Sequence, residues 1–124
     1  MATEDLRNNA MMSHLLDALD RGEDIGHYGR LVFAMIARHF LSEEELCSWL
    51  RKDPTVSPDD AVSLCRQVEG RDYNPPRRDR ILEWDSQQSF SICPDPNECN
   101  VYRDLRFPEH VYEHIQEFYR GRRG

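Results

Sequence analysis

The chain has 124 residues, 39% hydrophobic and 31% charged, with a formal net charge of −7. This length fits one domain, and 5 Phe, 5 Tyr and 2 Trp are more large apolar residues than a disordered chain carries. No apolar run is long enough to span a bilayer, and the excess of acids argues against a generally basic, phosphate-coating protein. The acidic, polar residues 1–9 lack the pattern of a secretion signal, so we expect a cytoplasmic protein.

Apolar residues at helical spacing predict a chain of helices joined by turns. Two caps support the expected ranges: Ser42 with Glu45 forms a capping box, and Ser57 precedes Pro58 at the first helical position. No strand signal of convincing length occurs. The sequence therefore predicts an all-α fold, a single compact domain over 1–124 with about five or six helices and an irregular segment before the last. The expected helices cover 4–21, 27–40, 43–50, 58–69 and 77–87, followed by one from residue 108.

The second predicted helix begins with the pattern Gly26-His27-Tyr28-Gly29-Arg30. A helix N-terminus presents N–H groups and partial positive charge, which suit an anion, and Arg30 one turn later would add a charge-assisted contact. The same pattern is also that of a glycine-containing turn followed by a solvated arginine. The sequence leaves both interpretations open.

A second basic stretch reads Tyr-Asn-Pro-Pro-Arg-Arg-Asp-Arg over residues 73–80. Arg77, Arg78 and Arg80 can neutralise phosphate, and Tyr73 can stack on a base. The alternative is a basic first turn on a surface helix, which the helix dipole disfavours. Arginine also dominates the basic residues of the whole chain, which favours bidentate phosphate or carboxylate contacts, although a GC-rich genome would produce the same bias.

The four cysteines have wide spacings, and without a secretion signal we expect a reducing compartment in which disulfides are rare. Cys47 and Cys65 lie on apolar faces of predicted helices, so we expect both to be buried packing residues. Cys93 and Cys99 lie on one loop and are the candidates for a shared metal. Two ligands do not make a structural zinc or iron–sulfur site, so we expect no metal and no other cofactor.

No sequence signature of catalysis stands out. The chain has no paired-carboxylate, Ser-His-Asp or phosphate-loop motif, so we expect a protein that is not an enzyme. His110 and His114 are four residues apart on the last predicted helix, a spacing that suits a metal but equally fits a polar helix face.

Several motifs follow one another in a recognisable order. They are a helix from Met11, the pattern His27-x-x-Arg30, an apolar helix and then Leu41-Ser42-Glu43, the loop Tyr73-x-Pro75-Pro76, and Cys93 and Cys99 before Val101-Tyr102-Arg103. This order and spacing, over roughly residues 11–104, resembles the C-terminal iron–sulfur domain of the archaeal and eukaryotic DNA primase large subunit. In that family the domain helps to bind the template, the primer 5′ end and the initiating nucleotide.

The resemblance also implies that two of the four cysteine ligands of the iron–sulfur cluster are missing. The family's first two cluster cysteines fall at Met11 and Arg78, which cannot ligate iron as thiolates, and only Cys93 and Cys99 match ligand positions. The resemblance therefore implies a primase-type domain without its [4Fe–4S] cluster. It further implies that Arg30 contacts phosphate and that Arg78 places a permanent positive charge where a cluster ligand stands in the family.

The resulting hypothesis is a non-catalytic accessory module of a primase-polymerase in DNA replication, which binds single-stranded nucleic acid or a nucleoside triphosphate and no membrane. We expect its site residues to lie together around the start of the second helix. One rival is a protein-interaction module that kept the fold, with acidic residues 1–70 docking a basic partner. Another is a metal or iron–sulfur protein. The candidate binding residues are His27, Arg30, Tyr73, Arg77, Arg78, Arg80, Tyr102 and Arg103.

Overall fold

The computed structural model describes residues 2–71 and 73–113, and in these ranges the secondary structure is entirely helical. The all-α prediction is therefore confirmed. None of the described helices is long and apolar enough to cross a membrane. The helices are α1 (Ala2–Leu6), α2 (Ala10–Asp20), α3 (Gly26–Ala37), α4 (Glu43–Leu50), α5 (Pro58–Gly70), α6 (Arg78–Asp85), a 3₁₀ turn (Pro96–Glu98) and α7 (Val101–Asp104).

The central helix is α3, as its apolar pattern predicts. It packs against α2, α4, α5 and α6, and α4 also packs against α5. Each of these helices turns an apolar face towards the shared core, in which Phe33 and Ile36 of α3 are fully buried. Burial of these faces removes apolar surface from water, which is the main favourable contribution to stability of the bundle.

The first predicted helix, 4–21, is instead two helices, because Asn9 interrupts it. The Asn9 side chain accepts a hydrogen bond from the backbone N–H of Met12 at 3.0 Å and so caps α2. Its amide nitrogen donates to the Glu98 carbonyl and to the Asp104 carboxylate at 3.2 and 2.9 Å. Asn9 is fully buried, so this side chain joins the beginning of α2 to the segment around α7.

The later boundaries follow the caps that the sequence predicts. Ser42 and Glu45 form the capping box of α4, and the Ser57 hydroxyl caps α5 behind Pro58. Helix α3 ends at Ala37 rather than residue 40, and α6 is shorter than the predicted 77–87. The irregular segment contains the 3₁₀ turn and α7. Residues 109–113 are helical, as predicted from residue 108, and the expected apolar positions 115, 118 and 119 lie outside the described residues, as does His114.

The start of α3 is capped from a distant part of the chain. Its N-cap residue, Ile25, makes no side-chain cap. Instead, Gln88 accepts a hydrogen bond from the Tyr28 N–H at 3.0 Å and donates to the Ile25 carbonyl at 2.9 Å. Gly26 has a φ of 79°, and a Cβ there would lie 2.4 Å from the Gln88 amide oxygen. Glycine is therefore required for this close approach.

The four cysteines lie in two pairs. Cys47 is beside Cys65 and Cys93 is beside Cys99, with Cα separations of 6.2 and 6.0 Å that are within the range of a disulfide. The predicted burial of Cys47 and Cys65 is confirmed, and Cys93 and Cys99 are buried as well. Sequence spacing alone did not predict the pairing, because α4 and α5 bring together residues that are 18 positions apart.

Candidate nucleic-acid interface

A cleft with two arginines lies at the start of α6. Its volume is about 370 Å³, and its walls are Arg77, Arg78, Asp79, Asn100 and Tyr102. The N-cap residue Arg77 makes no side-chain cap, so the first-turn N–H groups of α6 are not capped from within the helix. The cleft thus combines a helix N-terminus with two guanidinium groups, a combination that suits an anion.

Two contacts hold the walls of this cleft together. The Tyr102 hydroxyl donates to the Pro75 carbonyl, and the Arg78 Nε donates to the Pro96 carbonyl. Burial raises the pKa of Tyr102 to about 12, so its phenol stays protonated as a donor at neutral pH. The structure therefore brings Arg77 and Arg78 together with Tyr102, residues that the sequence places in separate segments.

A row of flat side chains lies at the other end of α6. The Tyr28 and Trp84 rings are stacked with centroids 5.8 Å apart and an interplanar angle of 16°. The exposed His27 packs edge-on against Tyr28 at 5.3 Å, and the Arg80 guanidinium lies 5.8 Å from the Trp84 ring. We call these four residues the aromatic row. It links His27 to Arg80 through the Tyr28 and Trp84 rings.

Arg30 has a different environment from the one that the resemblance implies. Its guanidinium binds the buried Asp53 carboxylate at 2.9 Å and also contacts Asp24 and Thr55, each at 3.2 Å. Tyr28 faces α6, and a residue two positions further on lies about 200° around the helix. Arg30 is thus held on the side of α3 away from Tyr28 and Trp84.

Asp53 is the centre of that network. Its side chain is fully buried and accepts hydrogen bonds from the backbone N–H groups of Ile25 and Thr55 as well as from the Thr55 hydroxyl. Burial acts to raise the pKa of Asp53, but the hydrogen bonds from Thr55, Arg30 and Ile25 outweigh it and lower the pKa below its usual value. Asp53 is therefore ionised, and Arg30 is its counter-charge.

Tyr73 lies far from the start of α3. Its carbonyl accepts two hydrogen bonds from Arg38, the C-cap residue of α3, at 3.2 and 3.0 Å. The start and end of α3 are about 16 Å apart, given 1.5 Å per residue. The expectation that Tyr73 lies beside His27 is therefore wrong, because α6 runs antiparallel to α3 and the loop before it begins at the opposite end.

Arg103 is engaged by neighbouring acids. Its guanidinium contacts Asp104 at 2.8 Å and Glu98 at 3.1 Å, and it also donates to the Asn97 carbonyl. These contacts hold the 3₁₀ turn against α7. Hydrogen bonding from Arg103 lowers the pKa of Asp104. Arg103 therefore supports the segment that carries Tyr102 and is not among the residues that line the cleft.

A second cavity, of about 220 Å³, lies between α2 and the loop before α7. Its lining includes Met11, His14 and Cys93. The four positions that the resemblance aligns with cluster ligands lie around this loop, since Arg78 binds Pro96 between Cys93 and Cys99. The residues do not fit a [4Fe–4S] cluster, because Met11 and Arg78 offer no thiolate and only Cys93 and Cys99 remain of the four ligands that such a cluster needs. Among the described residues no group of three or more His, Cys, Asp or Glu side chains could hold a metal ion.

Three residues of this surface were absent from the sequence-based set. Trp84 and Tyr28 were assigned to helices without a binding role, and Asn100 was only part of a loop. Spacing carried a signal for Trp84, since it follows Arg80 by one helical turn and Arg77 by two. Asn100 carried no such signal, because its place in the cleft depends on how the loop folds back onto α6.

Comparisons with known proteins leave the primase resemblance as a prediction from the sequence. No protein-family model, curated protein or solved structure matches the chain.

Proposed function

We propose that this protein is a non-catalytic module, without an iron–sulfur cluster, that binds single-stranded nucleic acid or a nucleotide as an accessory to a primase-polymerase. The observation that carries the proposal is the cleft at the start of α6. There Arg77 and Arg78 flank the N-terminus of α6, which its N-cap side chain does not cap, beside Tyr102. Two arginines and several N–H donors can neutralise and hydrogen-bond one phosphate group, and a nearby aromatic ring can contact the sugar or base.

The link to a primase rests on the resemblance, and one structural observation supports that alignment. The alignment relates Met11, Arg78, Cys93 and Cys99, which are far apart in sequence. Met11 and Cys93 line one cavity, and Arg78 binds the loop between the two cysteines. This proximity of residues that would surround a single centre in the family is what supports the proposed link.

The electrostatics indicate weak binding that depends on salt. The net charge is −7, and one wall of the cleft is Asp79. Only Arg77, Arg78 and Arg80 lie on or beside α6 as cations. If each neutralises one phosphate of a single strand, the slope of log affinity against log salt is about −2.

Titration of a labelled single-stranded oligonucleotide between about 50 and 200 mM salt tests the proposal. We expect binding at low salt, with a slope near the value above. Arg78→Ala should reduce the magnitude of the slope by about 0.7, because it removes one phosphate contact. The matched control is Arg66→Ala, an exposed arginine on α5 with the same change of charge.

Equal losses in Arg78→Ala and Arg66→Ala would mean that only overall charge matters and would contradict the cleft as the site. Absence of any binding at about 50 mM salt to DNA, RNA or a nucleoside triphosphate would overturn the proposed function.

That last outcome would favour the interaction-module hypothesis. The specific observation behind it is Arg30, whose charge is already matched by Asp53 and Asp24, so one arginine of the predicted nucleic-acid site is occupied within the protein. The acidic excess would then attract a basic protein partner.

A further inference from the structure

We propose that the aromatic row is a base-stacking subsite, so that the ligand is a single strand of several nucleotides that lies along α6. This inference rests on the proposed function, since it assigns a second contact to the same strand. The cleft holds phosphate at the start of α6, and the Tyr28–Trp84 pair holds a base near its end. A mononucleotide would occupy the cleft alone.

The two subsites lie along one helix. Arg77, Arg80 and Trp84 are spaced i, i+3 and i+7, which places them on one face of α6. The face extends about 10 Å at 1.5 Å per residue. A stacked strand advances about 3.4 Å per nucleotide, so the face matches about three nucleotides. A strand whose phosphate lies in the cleft therefore reaches the aromatic row.

The rings are held in place before any ligand arrives. The Tyr28 hydroxyl donates to the Gln87 side chain at 3.1 Å, and the Tyr28 N–H is held by Gln88. Trp84 is stacked on Tyr28 and lies next to the Arg80 guanidinium. A fixed aromatic side chain loses little conformational entropy on binding, which favours its use as a stacking platform.

Exposure distinguishes this pair from the core aromatics. Phe33 is completely buried, whereas Tyr28 and Trp84 are only partly buried. The exposed part of such a stacked pair, with the Arg80 guanidinium beside it, can contact a base, and the arginine adds a cation–π contribution.

The charge along α6 selects a nucleic acid over an apolar peptide. Arg77, Arg78 and Arg80 lie on the route between the two subsites. Of the acids on this helix, Asp85 accepts hydrogen bonds from the backbone N–H groups of Ile92 and Cys93. Glu83 lies 3.7 Å from the Arg80 guanidinium on the surface, where a phosphate can compete with it, and Asp79 lines the cleft. The backbone of a single strand supplies phosphates at regular spacing for the arginines, which an apolar peptide does not.

The test compares Trp84→Leu with Trp84→Phe on strands with and without bases. Trp84→Leu keeps an apolar side chain but removes the ring, so we expect roughly a tenfold loss of affinity for a normal strand. Trp84→Phe keeps a ring and should bind within about twofold of the unchanged protein. Trp49→Leu is the matched control, because Trp49 lies on α4 and its ring contacts Lys52.

An abasic strand of equal length carries the phosphates without the bases. We expect the unchanged protein and Trp84→Leu to bind it equally, and the affinity for normal strands to rise from one to about three nucleotides. If Trp84→Leu binds a normal strand as tightly as the unchanged protein does, or if a mononucleotide binds as tightly as a trinucleotide, the stacking subsite is wrong while the cleft remains. Absence of binding to either strand would overturn both proposals, and circular dichroism confirms that each variant is folded.

Discussion

The starts of α3 and α6 both carry an arginine in the first turns of the helix, but the two arginines have different partners. Arg30, one turn into α3, is bound by the buried Asp53 and is only 18% exposed. Arg78, in the first turn of α6, is exposed, and its Nε contacts one backbone carbonyl. The first arginine completes the fold, whereas the second lines an open cleft.

The difference comes from the partners that the chain supplies. Asp53 lies on the turn between α4 and α5 and places a fully buried carboxylate beside the start of α3. A buried carboxylate requires a counter-charge, so its presence commits Arg30 to the fold. At α6 the neighbouring loop offers a carbonyl, which leaves the charge of Arg78 unbalanced by that contact. A basic residue at a helix start is therefore available to a ligand only where no buried acid faces it.

The largest effect on stability should come from replacing Asp53, the acid that binds Arg30 at the start of α3. Asp53→Ala removes the acceptor for Arg30, for the Ile25 N–H and for Thr55, and we expect it to lower the free energy of unfolding by about 3 kcal/mol. Urea denaturation at pH 7 measures this. A loss below about 0.5 kcal/mol, typical of a surface substitution, would contradict the importance of the network.

The two arginines should separate stability from binding. Arg30→Ala leaves the Asp53 carboxylate buried without its counter-charge, so we expect a loss of about 2 kcal/mol in the free energy of unfolding. Arg78→Ala should change stability by less than about 0.5 kcal/mol, because the side chain is exposed. The salt-dependence slope should change for Arg78→Ala and stay the same for Arg30→Ala. The comparison fails if Arg30→Ala leaves stability unchanged and weakens binding.

The smallest expected effect is the decrease in the free energy of unfolding at acid pH, where Asp53 becomes protonated. The pKa of Asp53 is lower in the folded protein than in the unfolded chain, so as pH falls the unfolded chain takes up the proton first. The stability that ionised Asp53 contributes is therefore complete above about pH 5 and declines below about pH 4. We expect the difference in unfolding free energy between the unchanged protein and Asp53→Asn to shrink in that range. Urea titrations at a series of pH values measure it, and a constant difference down to pH 3 would contradict it.

Local signals predicted the elements more completely than they predicted contacts between elements. Ser42 and Ser57 predicted the starts of α4 and α5 correctly, because a cap acts within one turn of the chain. Asn9 was overlooked inside a continuous apolar pattern. Its effect depends on Glu98 and Asp104, whose position beside α2 no local pattern reveals.

The same contrast between local features and contacts between elements applies to the candidate site. The proximity of Arg77, Arg78 and Arg80 could be predicted, since Arg78 and Arg80 lie on α6 and Arg77 is its N-cap residue, although only Arg77 and Arg78 line the cleft. It placed Tyr73 at the wrong end of α3 because the direction of α6 relative to α3 is set by packing. The commitment of Arg30 to Asp53 could not be predicted from a motif, because the two residues are 23 positions apart.

The cap that Gln88 provides affects how α3 forms. The first turn is the costly step of helix formation, and here its cap comes from a residue 60 positions away. The Tyr28 N–H of this turn therefore gains its partner only when the residues that follow α6 dock, whereas the Gly26 N–H is bound locally by Asp24. Exchange of the Tyr28 amide hydrogen would then follow the opening of α6 from the bundle, and not the melting of α3 itself.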